Sequence, residues 1–124
     1  MEIKTERTFC AAHQLCNENK SLDWNRKTYG KCTNLHGHTW KVVVKILGDI
    51  DETGMLVNFN RIKKIIDYLD HKFLNDIPEL KGILPTAENL ANYFLDNIQN
   101  ISDNIKCARV TVYESETSYA EVGK

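Results

Sequence analysis

The sequence lacks an excess of charge of either sign. It contains 16 Lys and Arg residues and 17 Asp and Glu residues, for a net charge of −1. A protein that binds nucleic acid by neutralising phosphates is normally basic, so the balance argues against a nucleic-acid partner. The chain also lacks any apolar run near the roughly 20 residues of a membrane span, which argues against a membrane partner. The charged, alternating residues 1–6 are unlike a signal peptide, so we expect a cytoplasmic protein.

Cysteine and histidine are both scarce, with 4 residues of each type. In a cytoplasmic protein, cysteines are more often reduced ligands or catalysts than parts of a disulfide framework. The length of 124 residues predicts a single domain, residues 1–124, with one hydrophobic core.

Hydrophobic periodicity predicts the order of the elements along the chain. Alternating segments predict strands, at residues 2–13, 35–47, 55–59, 107–114 and 118–122. Apolar residues at helical spacing predict two helices, one from Asn58 or Asn60 to about Leu69 and one from Thr86 to about Ile101. The polar residues 15–34 predict a loop of about 20 residues, a length typical of functional or disordered segments.

This order predicts the fold class. Strands and helices do not alternate one by one, so an α+β fold is expected, with a four-stranded antiparallel sheet and both helices on one face. The opposite face would then be uncovered and would carry Thr39, Val43 and Leu47. An uncovered sheet face predicts self-association.

The strongest chemical signal is a group of three histidines. His36 and His38 point the same way on a strand, and His13 ends a neighbouring predicted strand. Three neutral imidazoles leave one position of a tetrahedral Zn²⁺ site open for water or substrate, as in catalytic zinc sites. The alternative, which the spacing alone leaves open, is three unrelated surface or core histidines.

For several other residues, the sequence is compatible both with a role in the chemistry and with a purely structural role. Cys32 precedes His36 by four residues and could be a thiolate base near a metal, or simply a small side chain. Asp70 and His71 could form a proton relay or a solvated helix end. Glu114 could accept two hydrogen bonds from a guanidine-like ligand edge, such as an amino group and a neighbouring ring N–H, or be an exposed strand end. Glu88 suits any helix N-terminus.

Five segments, in order along nearly the whole chain, resemble the 6-pyruvoyl- and 6-carboxy-tetrahydropterin synthase superfamily. They are Phe9-Cys-Ala-Ala-His13, Cys32-Thr-Asn-Leu-His36-Gly-His38, Leu69-Asp-His-Lys-Phe-Leu-Asn-Asp76, Pro85-Thr-Ala-Glu-Asn89 and Val112-Tyr-Glu-Ser115. The resemblance implies the T-fold, or tunnelling fold, in which three subunits close a twelve-stranded barrel and two trimers form a homohexamer. Active sites in that family lie between subunits.

The resemblance also implies roles for individual residues. His13, His36 and His38 would bind zinc, and Cys32 would be the general base. Asp70 and His71 would form the second proton-transfer pair. The pterin ring would be anchored by Glu114 and held by Thr86 and Glu88 of a neighbouring subunit.

The spacing between Cys32 and His36 favours one branch of the superfamily. Three residues separate them, as in 6-carboxy-tetrahydropterin synthases of the queuosine pathway, whereas the 6-pyruvoyl enzymes have five. The expected reaction converts 7,8-dihydroneopterin triphosphate to 6-carboxy-5,6,7,8-tetrahydropterin, releasing acetaldehyde and triphosphate. The long segment 14–31 is nearer the 6-pyruvoyl type. One alternative is therefore a 6-pyruvoyl-tetrahydropterin synthase. A separate alternative is a zinc-stabilised binding protein without catalysis.

Overall fold

A computed structural model describes residues 1–123, and its element order is mixed α and β. The strands are β1 (Glu2–His13), β2 (His36–Gly48), β3 (Lys72–Phe73), β4 (Ile105–Ser115) and β5 (Ser118–Gly123). The helices are α1 (Leu22–Tyr29), α2 (Phe59–Asp67) and α3 (Ala87–Ile98). Short 3₁₀ turns cover Gly30–Thr33, Leu74–Asp76 and Pro78–Leu80.

The sheet has the order β3-β1-β2-β4-β5. The four long strands pair antiparallel, which confirms the predicted α+β class. The two-residue β3 was not predicted, and it pairs parallel with β1 at Ala11 and Ala12. The sheet is therefore five-stranded, with the extra strand at the edge beside β1.

One face of the sheet holds the core. Alternate residues of β2, from Trp40 to Ile46, are buried there, and they face the apolar sides of α2 and α3. Helix α3 packs on β4 and β5, while α2 packs on β1. The other face carries Thr39 and Leu47, both exposed, as the sequence predicted.

Both predicted helix starts are confirmed. Asn58 caps α2 by accepting a hydrogen bond from the backbone of Asn60, and Thr86 caps α3 by accepting one from Asn89. The helices end at Asp67 and Ile98, somewhat earlier than expected.

Two local predictions were wrong. Residues 15–34 are not a structureless loop, because they contain α1 and a 3₁₀ turn. Residues 55–59 form no strand; the carbonyl of Leu56 accepts a hydrogen bond from the Asn104 side chain instead of from a strand neighbour. Among residues 1–123, no helix combines the length and apolar character needed to cross a membrane.

Candidate metal centre

The antiparallel ladder between β1 and β2 brings the three histidines together. His13 is directly opposite His36, at the last rung of the ladder, and His38 is two residues further along β2 on the same face. The ring centroids of His13 and His36 are 4.5 Å apart, and those of His36 and His38 are 4.9 Å apart. Strand pairing thus gathers the imidazoles at one end of the core.

Backbone carbonyls fix the orientation of two of these rings. Nδ1 of His13 donates to the carbonyl of Pro85 over 2.8 Å, and Nδ1 of His36 donates to the carbonyl of Asn34 over 2.7 Å. With the proton on Nδ1, the lone pair is on Nε2. Metal-binding histidines are typically oriented by such a hydrogen bond from the other ring nitrogen.

The Nε2 atoms of His13, His36 and His38 are all buried and have no hydrogen-bond partner. One ligand atom from each residue lies within 4.8 Å of the others. A buried polar atom without a partner is costly, and a shared metal ion would satisfy all three at once. The chemistry of the donor set therefore fits a metal ion, with three imidazole ligands.

Burial favours the neutral imidazoles that a metal requires. It lowers the pKa of His13, although the hydrogen bond to Pro85 acts in the opposite direction. Burial also lowers the pKa of His38, against the attraction of the Glu114 carboxylate. Both rings are thus biased toward the form with a free lone pair near neutral pH.

Glu114 lies at the margin of this site, near the end of β4. Its Oε1 is 3.7 Å from Nε2 of His38. Its side chain retains 36% of its accessible surface, so it also faces outward. The carboxylate is therefore available to a molecule that approaches the three histidines.

Asp70 and His71 lie beside the edge strand, where they form a compact hydrogen-bonded unit. Oδ2 of Asp70 is 3.0 Å from Nδ1 of His71, and Oδ1 accepts from the backbone N–H of Cys10 over 2.8 Å. These bonds, that to Cys10 first, lower the pKa of Asp70. His71 has a φ of +58° and a side chain 82% exposed, so its imidazole projects from the surface of the chain.

The carboxylate–imidazole pair lies beside a depression in the surface, at one end of β1 and β2. A cavity of about 610 Å³ is lined by residues of β1, β2 and β3, and by His71. His38 also contributes to its wall. Cys10 and Thr39, which share this wall, alternate with the three histidines along β1 and β2, so the depression lies on the opposite face of the sheet from the imidazoles.

Cys32 lies in the 3₁₀ turn that precedes β2 and is partly buried. Its carbonyl accepts a hydrogen bond from the backbone of Leu15 over 2.8 Å. Leu15 is two residues beyond His13, so the turn that carries Cys32 is tied to the segment leaving β1.

Thr86 and Glu88 lie at the start of α3. The Thr86 hydroxyl is engaged as the helix cap, and Glu88 is exposed in the first turn. Thr86 directly follows Pro85, whose carbonyl holds His13. Sequence reasoning missed Pro85 and Asn34 as partners of the ligands, because a backbone carbonyl leaves no signature in residue type.

Fold and site together define an α+β protein with three histidines placed to hold a metal ion. The family model described as 6-pyruvoyl tetrahydropterin synthase matches residues 2–124. The chain belongs to this family, which confirms the resemblance drawn from its motifs and the expectation that it is an enzyme.

Individual relatives carry two different names. A Dictyostelium discoideum protein named 6-pyruvoyl tetrahydrobiopterin synthase is 44% identical over 104 residues, covering 77% of each chain. A human protein of the same name is 37% identical over 126 residues, covering 94% of this chain and 87% of the relative. A Bacillus subtilis protein named 6-carboxy-5,6,7,8-tetrahydropterin synthase is 38% identical over 104 residues, covering 76% of this chain and 71% of the relative.

The fold agrees with a solved member of the family. The structure of Caenorhabditis elegans 6-pyruvoyl tetrahydropterin synthase superposes with a TM-score of 0.84 at 29% identity, covering 100% of this chain and 95% of the other. The prediction of a T-fold is confirmed.

Proposed function

We propose that the chain is a zinc-dependent 6-carboxy-tetrahydropterin synthase acting in the cytoplasm. It would convert 7,8-dihydroneopterin triphosphate and one water to 6-carboxy-5,6,7,8-tetrahydropterin, releasing acetaldehyde and triphosphate. The B. subtilis relative bears the name of this activity.

One observation carries the choice of product: three residues separate Cys32 from His36. The 3₁₀ turn Gly30–Thr33 is followed at once by Asn34, whose carbonyl holds the ring of His36. Cys32 thus lies in the turn that leads directly to His36. A connection two residues longer would place the thiol differently relative to the substrate's side chain.

Three neutral imidazoles with one open position are the ligand set of catalytic zinc, so we propose Zn²⁺ held by His13, His36 and His38. The ion would polarise the side-chain hydroxyl oxygens of the substrate and lower their pKa.

We assign proton movement at the side-chain carbons to Cys32, as the general base. Asp70 and His71 would serve the opposite side of the substrate, with Asp70 orienting the imidazole through its 3.0 Å contact with Nδ1. This pair projects from the surface beside the edge strand, as an active site shared between subunits requires.

The two ends of the substrate need different partners. Glu114 would accept hydrogen bonds from the amino group and adjacent ring N–H of the pterin, because a carboxylate offers two acceptors in that geometry. Thr86 and Glu88 of a neighbouring subunit would complete the ring site. The triphosphate would bind to cationic side chains of the segment that contains α1, namely Arg26, Lys27 and Lys31.

We further propose a homohexamer of two trimers, in which the uncovered sheet faces line a barrel. The exposed Thr39 and Leu47 on that face support this assembly. Sedimentation would give about six times the 14.3 kDa of one chain. A monomer under conditions of full activity would contradict it.

The test of the reaction is incubation of the zinc-loaded protein with 7,8-dihydroneopterin triphosphate, followed by mass spectrometry of the pterin and detection of acetaldehyde. We expect 6-carboxy-tetrahydropterin and one acetaldehyde per product. Cys32→Ala should bind pterin and zinc but lose most turnover, whereas the exposed Cys16 gives a matched control in Cys16→Ala. Full turnover by Cys32→Ala would remove this thiol from the mechanism.

The second candidate is 6-pyruvoyl-tetrahydropterin synthase. It is favoured by the name of the D. discoideum relative, at 44% identity, and by the long segment 14–31. The same incubation separates the two, because this enzyme would release triphosphate without acetaldehyde.

A further inference from the structure

His13 differs from the other two imidazoles in its position in the fold. His36 and His38 share one short piece of β2, whereas His13 is the last residue of β1. The residue is 1% exposed, and the position of its Nε2 depends on the orientation of its ring and on the path of its backbone. Two asparagine side chains outside the metal centre constrain both.

Asn89 acts on the ring through the turn before α3. Its Nδ2 donates to the carbonyl of Leu84 over 2.8 Å, and the same carbonyl accepts from the backbone of Thr86 over 2.8 Å. Pro85 lies between these two residues, and its carbonyl accepts the Nδ1 proton of His13 over 2.8 Å. The Asn89 amide therefore helps to hold the turn that aims the Pro85 carbonyl at the ring.

Asn75 acts on the backbone where the chain leaves His13. Its Oδ1 accepts from the N–H of Gln14 over 2.9 Å, and its Nδ2 donates to the carbonyl of Gln14 over 2.8 Å. The side chain thus pairs with the main chain as a neighbouring strand would, two residues beyond the end of β3. The next residue, Leu15, donates to the carbonyl of Cys32 over 2.8 Å.

We infer that Asn75 and Asn89 are positioning residues for the metal ligand His13. Asn89 sets the direction and tautomer of its imidazole through the turn at Pro85. Asn75 fixes its backbone and, through Leu15, also the turn that carries Cys32. Neither side chain contacts the Nε2 atoms, and both act through peptide groups.

The experiment compares isosteric variants of the zinc-loaded protein. Asn89→Asp and Asn75→Asp keep the side-chain size but remove the N–H donor. Asn97→Asp is the matched control, because Nδ2 of Asn97 donates to the carbonyl of Tyr93 over 2.7 Å in the same helix as Asn89, away from the metal centre. Zinc affinity is measured by competition with a chelator, and the ligand geometry by the visible spectrum after Co²⁺ substitution.

Removing a group that hydrogen-bonds a metal ligand directly typically weakens metal affinity 10- to 100-fold, and Asn75 and Asn89 act one peptide group further out. We expect about a tenfold loss and an altered Co²⁺ spectrum in Asn89→Asp and Asn75→Asp, and neither in Asn97→Asp. The melting temperature of each metal-free variant separates a loss of folding from a loss of positioning. Alanine variants at both sites repeat the measurement without an added charge. Zinc affinities within twofold of the wild type in both sets would overturn the inference.

The alkylation rate of Cys32 by iodoacetamide, measured by peptide mass mapping, distinguishes the effect of Asn75 on the Cys32 turn from the effect of Asn89 on the His13 ring. It should change in Asn75→Asp, which loosens Leu15, and stay constant in Asn89→Asp. Equal rates in the wild type and Asn75→Asp would overturn the link to Cys32. These readouts need no pterin, so they remain valid if the proposed reaction is wrong.

Discussion

Oε1 of Glu114 and Nε2 of His38 are 3.7 Å apart, so a carboxylate of β4 borders one of the three clustered imidazoles on β2. Burial lowers the pKa of His38, and the charge of Glu114 partly opposes that effect. A molecule bound to Glu114 would therefore lie next to the three clustered histidines. This proximity suits the proposed substrate, whose ring would be anchored while its side chain reached an ion held by these residues.

Glu114→Gln should weaken substrate binding while retaining zinc. The amide keeps the shape but loses the charge-assisted hydrogen bonds, whose loss corresponds to roughly a tenfold or greater rise in KM. Steady-state kinetics with 7,8-dihydroneopterin triphosphate and elemental analysis provide the measurement. Glu116→Gln, in the exposed turn two residues later, is the control. An unchanged KM in Glu114→Gln would exclude it as the anchor.

The metal-free protein should lose stability as the pH falls from 7.5 to 5. Burial gives His13 and His38 a pKa below the value of about 6.5 that they have when unfolded. Below about pH 6.5 the unfolded chain therefore binds more protons than the folded chain. The free energy of unfolding consequently decreases as the pH decreases. Asp51, Asp70 and Glu121, whose pKa values are also lowered, titrate below this window.

Melting temperatures of the metal-free protein between pH 8 and pH 5 check this expectation. His38→Gln removes one titrating group and should show a shallower decline. Equal melting temperatures at the two pH values would contradict the assignment of neutral, buried imidazoles.

Substitutions at Asp70 should separate catalysis from folding. Asp70→Asn keeps an acceptor for the backbone N–H of Cys10 but removes the charge beside His71. We expect turnover to fall about 10²- to 10⁴-fold, the range for a positioned acid or base, with little change in melting temperature. Asp70→Ala should lower both. Wild-type turnover in Asp70→Asn would show that this carboxylate has no role in proton transfer.

Gly48 should tolerate no side chain. A Cβ at this position would collide with the backbone carbonyl of Asn104, which crosses the end of β2. Gly48→Ala should therefore cost about 1–3 kcal/mol, as overpacking against rigid backbone does. Gly37→Ala is the control in the same strand, because its Cβ would lie 3.8 Å from the Ala11 carbonyl, an ordinary contact. Chemical denaturation compares the two, and equal midpoints would contradict the collision.

The sequence predicted the elements that bury an apolar stripe. Helix α2 shows the clear spacing of Ile62 and Ile66, and both are buried. Helix α1 could not be found this way, because its buried residue is Asn25, 1% exposed. The Asn25 side chain bonds the backbone of Asn17 in both directions and donates to Ser21. A helix held by a polar side chain has no hydrophobic period to detect.

Alternation placed His36 and His38 on one face, but the strand register decided that His13 is opposite His36. The register is set by pairing between strands that are distant in the sequence. The local pattern of residues in each strand does not show which residues will be opposite one another. The hydrogen bonds to the carbonyls of Pro85 and Asn34 could not be predicted either, since every residue type offers the same backbone acceptor.

The meeting of His13 and His36 at the terminal rung of the β1–β2 ladder ties strand pairing to the ligand set. An ion bound there would cross-link two strand ends that would otherwise fray. Metal loading should accordingly slow amide hydrogen exchange in residues 11–13 and 36–38, and chelation should loosen the mouth of the cavity before it disturbs the helices.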